Sequence, residues 1–288
     1  MPSLSSVLLT GANGFIGSCL LPLLQANDAL TLYPLAGRKD IDLRSKDCLT
    51  QLPTADAIIH LAGVVGVDVF ERSPFQHWQE QFLIMLHLLE HAKRSACQRL
   101  ILASSYLYGQ PHYLPIDEKH PLAPHHAYQR SKYLCEQLAE QYALDAGFEL
   151  IILRVFNIYG PGQQPPLLIP TILEQLQQDD IHLRDPYPKR DYVHVQDVAR
   201  AFVAALHCKM SQAIQIFNIG SGVSYSVAEL LELMLKQLSR QPRIHWQHAV
   251  RKAEVNDVVA DIRKAHSVLD WQPHISLDEG LKQLICGS

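Results

Sequence analysis

The chain has 288 residues, 48% hydrophobic and 19% charged, with a formal net charge of −4, an ordinary globular composition long enough for one large α/β unit or two smaller ones. Acidic and basic residues are mixed along it and form no basic stripe, which argues against nucleic acid as a partner. No apolar run approaches the ~20 residues of a membrane span, and "MPSLSSVLLTGANGFIG" lacks the basic n-region and the apolar length of a signal peptide.

Six cysteines (Cys19, Cys48, Cys97, Cys135, Cys208, Cys286) are scattered without a C-x-x-C and mostly sit in apolar segments. They read as reduced core thiols of a cytoplasmic protein.

"SVLLT" (6–10) reads as a buried strand, and "FIGSCLLPLLQAN" after it as a helix carrying a proline. Further strands are expected in "LTLYPLAG" (30–37), "DAIIHLAG" (56–63), "RLILASS" (99–105) and "ELIILRVFN" (149–157). Segments of helical period lie between the last three, at 75–95 and 126–146. Continuous Val/Ile/Leu runs alternating with helices indicate a parallel sheet covered on both faces, with right-handed crossovers. After 157 the texture changes. "YGPGQQPPLLIP" and "RDPYPKRDY" are proline-rich loops, and helices at 196–208, 226–240 and 276–285 dominate. A second, smaller domain is placed from about residue 160 onward.

"TGANGFIG" puts Gly11, Gly14 and Gly17 directly between the first strand and the first helix. Glycine permits a tight turn and a close backbone approach to phosphate, and the helix N-terminus offers free N–H groups and a positive dipole end. The spacing is G-x-x-G-x-x-G and departs from the standard G-x-G-x-x-G dinucleotide fingerprint. A purely structural turn is the alternative. An acidic residue at the end of the second strand would select NAD through the ribose 2′-hydroxyl. "PLAGRKD" offers Arg38 there instead. An arginine suits a 2′-phosphate, so NADP is preferred over NAD, with an exposed loop arginine as the bland alternative.

In "HHAYQRSK", Tyr128 and Lys132 stand four residues apart on one helical face. A phenol with a pKa near 10 would need ~4 kcal/mol of differential stabilisation to fall by ~3 units. One cation at ~4 Å supplies about that much at an effective dielectric of ~20. A lysine in a first turn opposes the helix dipole, so its placement is explained by the tyrosine and a bound cofactor. Upstream, "LASSYLYG" sets Ser104 and Ser105 at the end of a strand, where ligands of parallel sheets collect.

The ordered series "TGANGFIG", "IIHLAG", "ASSYLYG", "AYQRSK", "LRVFNIYGPGQ", "KRDYVHVQDVA", "FNIGSG" and "VADIRKAHSVLDWQP" resembles the extended short-chain dehydrogenase/reductases, specifically the nucleotide-sugar epimerase/dehydratase family. The resemblance implies an α/β fold: a Rossmann-type doubly wound parallel sheet over 1–160, and a smaller mixed α/β substrate domain mainly over 161–288, some of whose segments return to the first. It implies Ser104, Tyr128 and Lys132 as catalytic residues, Tyr128 as acid/base, with Lys132 on the nicotinamide ribose. Cofactor contacts implied are Gly11, Asn13, Gly14, Phe15, Ile16, Gly17, Asp42 and Leu43 beside adenine, Leu61, Ala62, Gly63 and Phe156. Ser105, Asn157, Arg190 and Arg251 are implied on the nucleotide-diphosphate sugar; arginine is the usual choice for phosphate. A homodimer built on the helices at 75–95 and 126–146 is implied as well.

The chain also departs from that family. Gln81 and Ile84-Met85 stand where members often carry an Asn and a Gly-Thr. Ser105 and Tyr106 occupy the places of the Asp-Glu pair of the family's 4,6-dehydratases and the Glu of its decarboxylases. Tyr106 and Gly162 replace the Cys and His of GDP-fucose synthase, a 3,5-epimerase/reductase. Dehydration, decarboxylation and base-catalysed epimerisation all need a further proton carrier and so lose support. Hydride transfer at sugar C4 needs one tyrosine proton, which leaves 4-ketoreduction, slightly favoured, or 4-epimerisation. The rival class is a catalytically silent dinucleotide-binding sensor or scaffold. "HLLEH" (87–91) matches an inverted zinc-protease pattern, but helix packing, including packing at a subunit interface, is the better reading and no metal is expected. His125 and His126 are read as exposed loop residues or substrate contacts, and Trp78, Trp246 and Trp271 as packing residues.

Overall fold

The computed structural model describes residues 4–238, 241–249 and 255–287. In chain order the elements are β1 (Ser6–Thr10), α1 (Phe15–Gln25), β2 (Thr31–Leu35), α2 (Cys48–Gln51), β3 (Ala57–His60), α3 (Val67–Arg72), α4 (Pro74–Arg94), β4 (Arg99–Ser105), α5 (Ala127–Ala146), β5 (Glu149–Val155), β6 (Asn157–Tyr159), α6 (Leu168–Gln175), β7 (Asp180–Leu183), β8 (Lys189–His194), α7 (Val195–His207), β9 (Ile214–Ile219), β10 (Ser224–Ser226), α8 (Val227–Leu235), β11 (Arg243–Trp246), α9 (Arg263–Leu269) and α10 (Leu277–Cys286).

Six strands form one parallel sheet in the order β2-β1-β3-β4-β5-β9. The middles of its inner strands are runs of apolar residues because both faces are covered. Since side chains alternate along a strand, Val7, Leu9, Ile59, Ile101, Leu153 and Phe217 point to the side of α1, α7 and α9, where they meet Leu20, Leu24, Val198, Phe202 and Trp271. Leu8, Ile58, Leu100, Leu102, Leu150 and Ile152 point the other way, onto Met85 and Leu88 of α4 and Cys135, Ala139 and Ala143 of α5. The long stretches of helical period predicted at 75–95 and 126–146 are thus the two helices that cover the second face.

Beyond β5 the chain carries more strand than the sequence pattern suggests. β9 completes the parallel sheet, and β10-β8-β6 and β11-β7 make two small ones around a separate core of Tyr159, Ile172, Leu183, Leu230, Met234 and Leu281. The helices expected at 196–208, 226–240 and 276–285 are α7, α8 and α10; the short strands between them are the addition. The missed strands are short and several are polar, so no run of branched apolar residues announces them.

Two buried carboxylates fasten these parts together. Asp191 of β8 accepts from Ser221 N (2.6 Å), Ser221 Oγ (2.7 Å), Gly222 N (3.0 Å) and Ala260 N (3.0 Å). Asp197 in the first turn of α7 accepts from His274 N (2.8 Å) and Ile275 N (3.0 Å), while Trp271 Nε1 donates to its carbonyl (2.9 Å). Four of the six cysteines are buried; Cys19 is half-buried and Cys286 is exposed at the end of α10, which corrects the reading of all six as core thiols.

Candidate active site

The crevice begins at the turn from β1 into α1. Gly11 has φ +73°, and a Cβ on it would stand 2.8 Å from Ala62 N and 2.9 Å from Leu61 C, so β3's exit loop lies directly against the turn. A Cβ on Gly17 would stand 2.1 Å from Gly11 O. Both positions exclude any side chain on internal grounds. Gly14 differs. It caps α1 with extended backbone (φ −75°, ψ 176°) and no side-chain bond, and the first turn holds no acid. The first-turn amides are therefore not closed off by a cap, and together with the dipole they suit an anion such as a pyrophosphate. Asn13 and Gly14 are exposed there, with Phe15 and Ile16 half-buried.

β2 ends beside this turn, where Ala12 N donates to Leu35 O at 3.0 Å. Arg38 follows with its side chain 61% exposed, 3.4 Å from Glu80 of α4. Glu80 also meets Arg44 at 3.2 Å, and Arg44 grips Asp42 at 2.6 Å, holding that carboxyl down to about 2 through its hydrogen bond. Leu43 turns inward to the core under α4, and its carbonyl bonds His87 Nδ1 at 2.8 Å. His91 Nε2 likewise bonds Pro53 O at 3.1 Å. The histidines of "HLLEH" thus fasten α4 to the β2–β3 connection within the chain, as helix packing.

On the far side of the turn, Gln81 of α4 fills the space beside Gly63. A Cβ there would lie 2.7 Å from Gln81 Oε1, which accepts from Val64 N at 3.1 Å. Gln81 therefore braces the Leu61–Val64 loop, while Ile84 and Met85 are buried in the core.

α5 starts at Ala127 because His126 caps it: His126 Nδ1 accepts from Gln129 N at 3.2 Å. That role requires a neutral ring, and burial, aided by His125 and Arg130, pushes His126 down to about 4. The first turn is then stitched in place. Gln129 donates to Tyr106 O (2.9 Å) and accepts from His125 N (3.0 Å), and Trp78 Nε1 donates to Ala127 O (3.0 Å). Tyr128 is half-buried, with the ring of Phe70 edge-on at 5.5 Å. Lys132 is 7% exposed and its ammonium donates to Ala103 O at 3.1 Å. The residue after Ala103 is Ser104, 7% exposed, whose Oγ finds no hydrogen-bond partner among the described residues. An unsatisfied buried hydroxyl is costly, and at the end of β4 it suits an incoming polar group.

His60, closing β3, lies under this corner. Its Nδ1 is 2.7 Å from Thr10 Oγ1, which accepts from Ala62 N at 3.2 Å. Burial pushes His60 down to about 3, and the Lys132 charge adds to the effect.

Of the residues expected on the nucleotide sugar, Ser105 and Asn157 are half-buried, and Arg190 of β8 donates from Nη1 to Lys189 O (2.8 Å) and Val255 O (2.7 Å). Phe156 is buried against Tyr106 and Tyr108. Burial raises the Tyr106 phenol against the lowering pull of Arg190, and its hydroxyl donates to Gly109 O. Arg251 lies outside the described residues. Lys132 of α5 is thus anchored on Ala103 of β4, the residue before Ser104, and the glycine turn meets the Leu61–Gly63 loop. Arg38 and Asp42 form a separate charged corner. Sequence reasoning named Gln81 only as a departure and missed His60 and Gln129 as parts of this site; Gln129 sits inside the "AYQRSK" motif itself, and His60 inside "IIHLAG".

Comparison with known proteins follows the same lines. The model of the "NAD dependent epimerase/dehydratase family" matches residues 7–220. A putative UDP-glucose 4-epimerase of Methanocaldococcus jannaschii is 33% identical, covering 97% of each chain. GDP-6-deoxy-D-mannose reductase of Pseudomonas aeruginosa is 30% identical over 97% of this chain and 95% of its own. The solved structure of RMD from Pseudomonas aeruginosa, complexed with NADPH, superposes with a TM-score of 0.88 at 29% identity over 98% of both chains.

Proposed function

The chain belongs to the NAD dependent epimerase/dehydratase family, and from that premise we propose that it reduces the 4-keto group of a nucleotide-diphosphate sugar with NADPH. It is an NAD(P)-dependent enzyme of nucleotide-sugar chemistry. The observation that carries the finer reading is the unsatisfied Ser104 hydroxyl beside the carbonyl that anchors Lys132. In this reading the Ser104 hydroxyl donates to the sugar's carbonyl oxygen. Tyr128 delivers its phenolic proton to that oxygen as negative charge develops on it. The Lys132 cation favours the phenolate left behind, an effect of ~4 kcal/mol for a charge at ~4 Å and an effective dielectric of ~20, and solvent returns the proton. When bound, the reduced nicotinamide supplies the hydride.

Gly11, Gly14 and Gly17 with the first-turn amides of α1, namely Phe15 and Ile16, and the neighbouring Asn13, would take the pyrophosphate. Leu61, Ala62, Gly63 and Phe156 would line the cofactor, Asp42 and the Leu43 backbone would flank adenine, and Arg38 would take a 2′-phosphate. Ser105, Asn157 and Arg190 would hold the nucleotide sugar. No carboxylate follows Ser104, and Tyr106 is held protonated by burial, which supports reduction over dehydration. Residues 1–160 serve mainly the cofactor and 161–288 mainly the substrate. A homodimer is supported by the exposed Phe75, Trp78 and Phe82 of α4 and Leu134 of α5. Buried free thiols support a reducing, cytoplasmic setting; no helix among the described residues is long and apolar enough to cross a membrane.

4-Epimerisation is the second reading, favoured by the name of the 33% identical relative. The deciding experiment incubates the protein with NADPH or NADH and a panel of UDP-, dTDP-, GDP- and CDP-sugars and their 4-keto derivatives. Stoichiometric loss of NADPH absorbance with a 4-keto compound is expected; isomer exchange without net redox would replace reduction by epimerisation. Tyr128→Phe should lower turnover by ~10²–10⁴-fold and leave NADPH affinity unchanged. Wild-type turnover in that variant would end the mechanism.

A further inference from the structure

The face of the large sheet that α4 and α5 cover is apolar along most of its length. Leu100, Leu150 and Ile214 make one in-register row across β4, β5 and β9, and Leu102, Ile152 and Ile216 make the next. The last row is different: Ser104, Arg154 and Asn218, at 7%, 3% and 0% exposure. A guanidinium is thereby sealed inside the protein as the strand neighbour of the site's hydroxyl.

Its partner is Glu136 of α5, 0% exposed. Arg154 Nη2 donates to Glu136 Oε2 at 2.7 Å, and Nε lies 3.2 and 3.3 Å from the two carboxylate oxygens. Arg154 Nη1 donates to the Tyr108 hydroxyl at 3.2 Å, which donates in turn to Asn218 Oδ1 at 2.6 Å; Asn218 Nδ2 donates to Ile116 O at 2.9 Å. Every member is buried and bonded.

Removing two charges from water is expensive, and apolar residues of similar size often serve stability as well or better. What a fork on a carboxylate provides is direction. Glu136 stands four residues after Lys132 and eight after Tyr128, so the three share one face of α5. A slide of one residue, ~1.5 Å along the axis with a ~100° turn, would break the fork. The oily contacts of Cys135, Ala139 and Ala143 would tolerate smaller slips.

We propose that Glu136 and Arg154 are a positioning pair: their ion pair sets the rotation and height of α5 on the sheet, so that Tyr128 and Lys132 are presented to Ser104 in one fixed geometry. The proposal rests on the catalytic roles given above for those three residues. It predicts that the pair matters to turnover more than to folding or ground-state binding, because misplacement of about 1 Å can cost ~10²-fold in rate.

The test is Glu136→Leu/Arg154→Met, which removes both charges and keeps the volume, beside Arg154→Lys, which keeps the charge and loses the fork. Measured are the thermal midpoint, NADPH affinity by fluorescence titration, hydrogen exchange over 127–136 without cofactor, and kcat, KM and the pH profile of kcat on the fastest 4-keto compound of the panel. The double variant should melt near wild type and bind NADPH within ~3-fold, with KM little changed. Its kcat should fall ~10–100-fold, its pH profile should shift, and exchange over 127–136 should quicken. Arg154→Lys should lose kcat in the same direction. A folded double variant with wild-type kcat and pH profile overturns the proposal. If the double variant does not fold, Arg154→Lys decides in the same way, since a role confined to charge balance leaves its kcat at the wild-type value. Tyr128→Phe run in parallel separates the two ideas: full activity there removes the catalytic assignment, whereas an inactive Tyr128→Phe beside a normal double variant removes only the positioning pair.

Discussion

Acid should loosen this protein through His60. The ring is 2% exposed, bonded on one side to Thr10, and pushed from 6.5 to about 3 by burial and then by the Lys132 charge. Between those values the unfolded chain binds a proton that the folded chain refuses, so stability is complete above the ordinary histidine value and falls as the pH drops toward the folded one. Taking 6.5 unfolded and about 3 folded, the loss between about pH 7 and about pH 5 is ~2 kcal/mol. His60→Gln keeps a hydrogen-bonding group near Thr10 and does not titrate. The other depressed histidines, His91, His126 and His194, act equally in both proteins and cancel from the difference. Urea unfolding followed by tryptophan fluorescence at the two pH values gives the quantity directly. Wild type should lose ~2 kcal/mol more than His60→Gln on acidification. Equal pH dependence in wild type and His60→Gln would refute the reasoning.

Two further outcomes are expected. Arg38→Ala should weaken NADPH binding ~10-fold with NADH unchanged, the size of one charge-assisted contact, and Glu80→Gln should strengthen NADPH by releasing Arg38 and Arg44 from their shared carboxylate; an unchanged NADPH-to-NADH ratio in both variants sinks the assignment of Arg38. Phe82→Glu, placing a charge on the exposed apolar stripe of α4, should shift the protein toward monomer in light scattering, and an unaltered dimer or a wild-type monomer would remove that face from the proposed interface.

The first half of the fold could be read in the sequence because its inner strands are buried on both faces. "SVLLT" and "RLILASS" are strands over the predicted residues, since nothing but a covered parallel strand needs so unbroken an apolar run. β8, "KRDYVH", carries two basic residues and an aspartate, and its partner strand β6 lies some thirty residues earlier; only tertiary pairing of Asn157 with Tyr192 makes a sheet of them. The site divides in the same manner. Glycines and the Tyr128–Lys132 spacing are local signals, legible because backbone geometry and helical period dictate them. The brace from Gln81 to Val64 and the clasp of Glu80 on Arg38 join residues far apart in sequence, and no spacing rule marks them. Cys286 follows apolar residues yet is exposed, because Leu284 and Ile285 of the same turn are the ones that pack on the core.

The strand order β2-β1-β3-β4-β5-β9 carries a consequence for biosynthesis. A nascent chain that has emerged as far as β5 has every predicted cofactor loop but an unpaired sheet border at Leu150–Val155, awaiting Ile214–Ile219, and lacks α7, whose Phe202 and Val198 roof the opposite surface. Until the ribosome has delivered β9, that border is a sticky edge open to any extended segment nearby. Early capture of dinucleotide by the half-made protein would have to occur on an unfinished platform, and chaperone contact is expected to concentrate there.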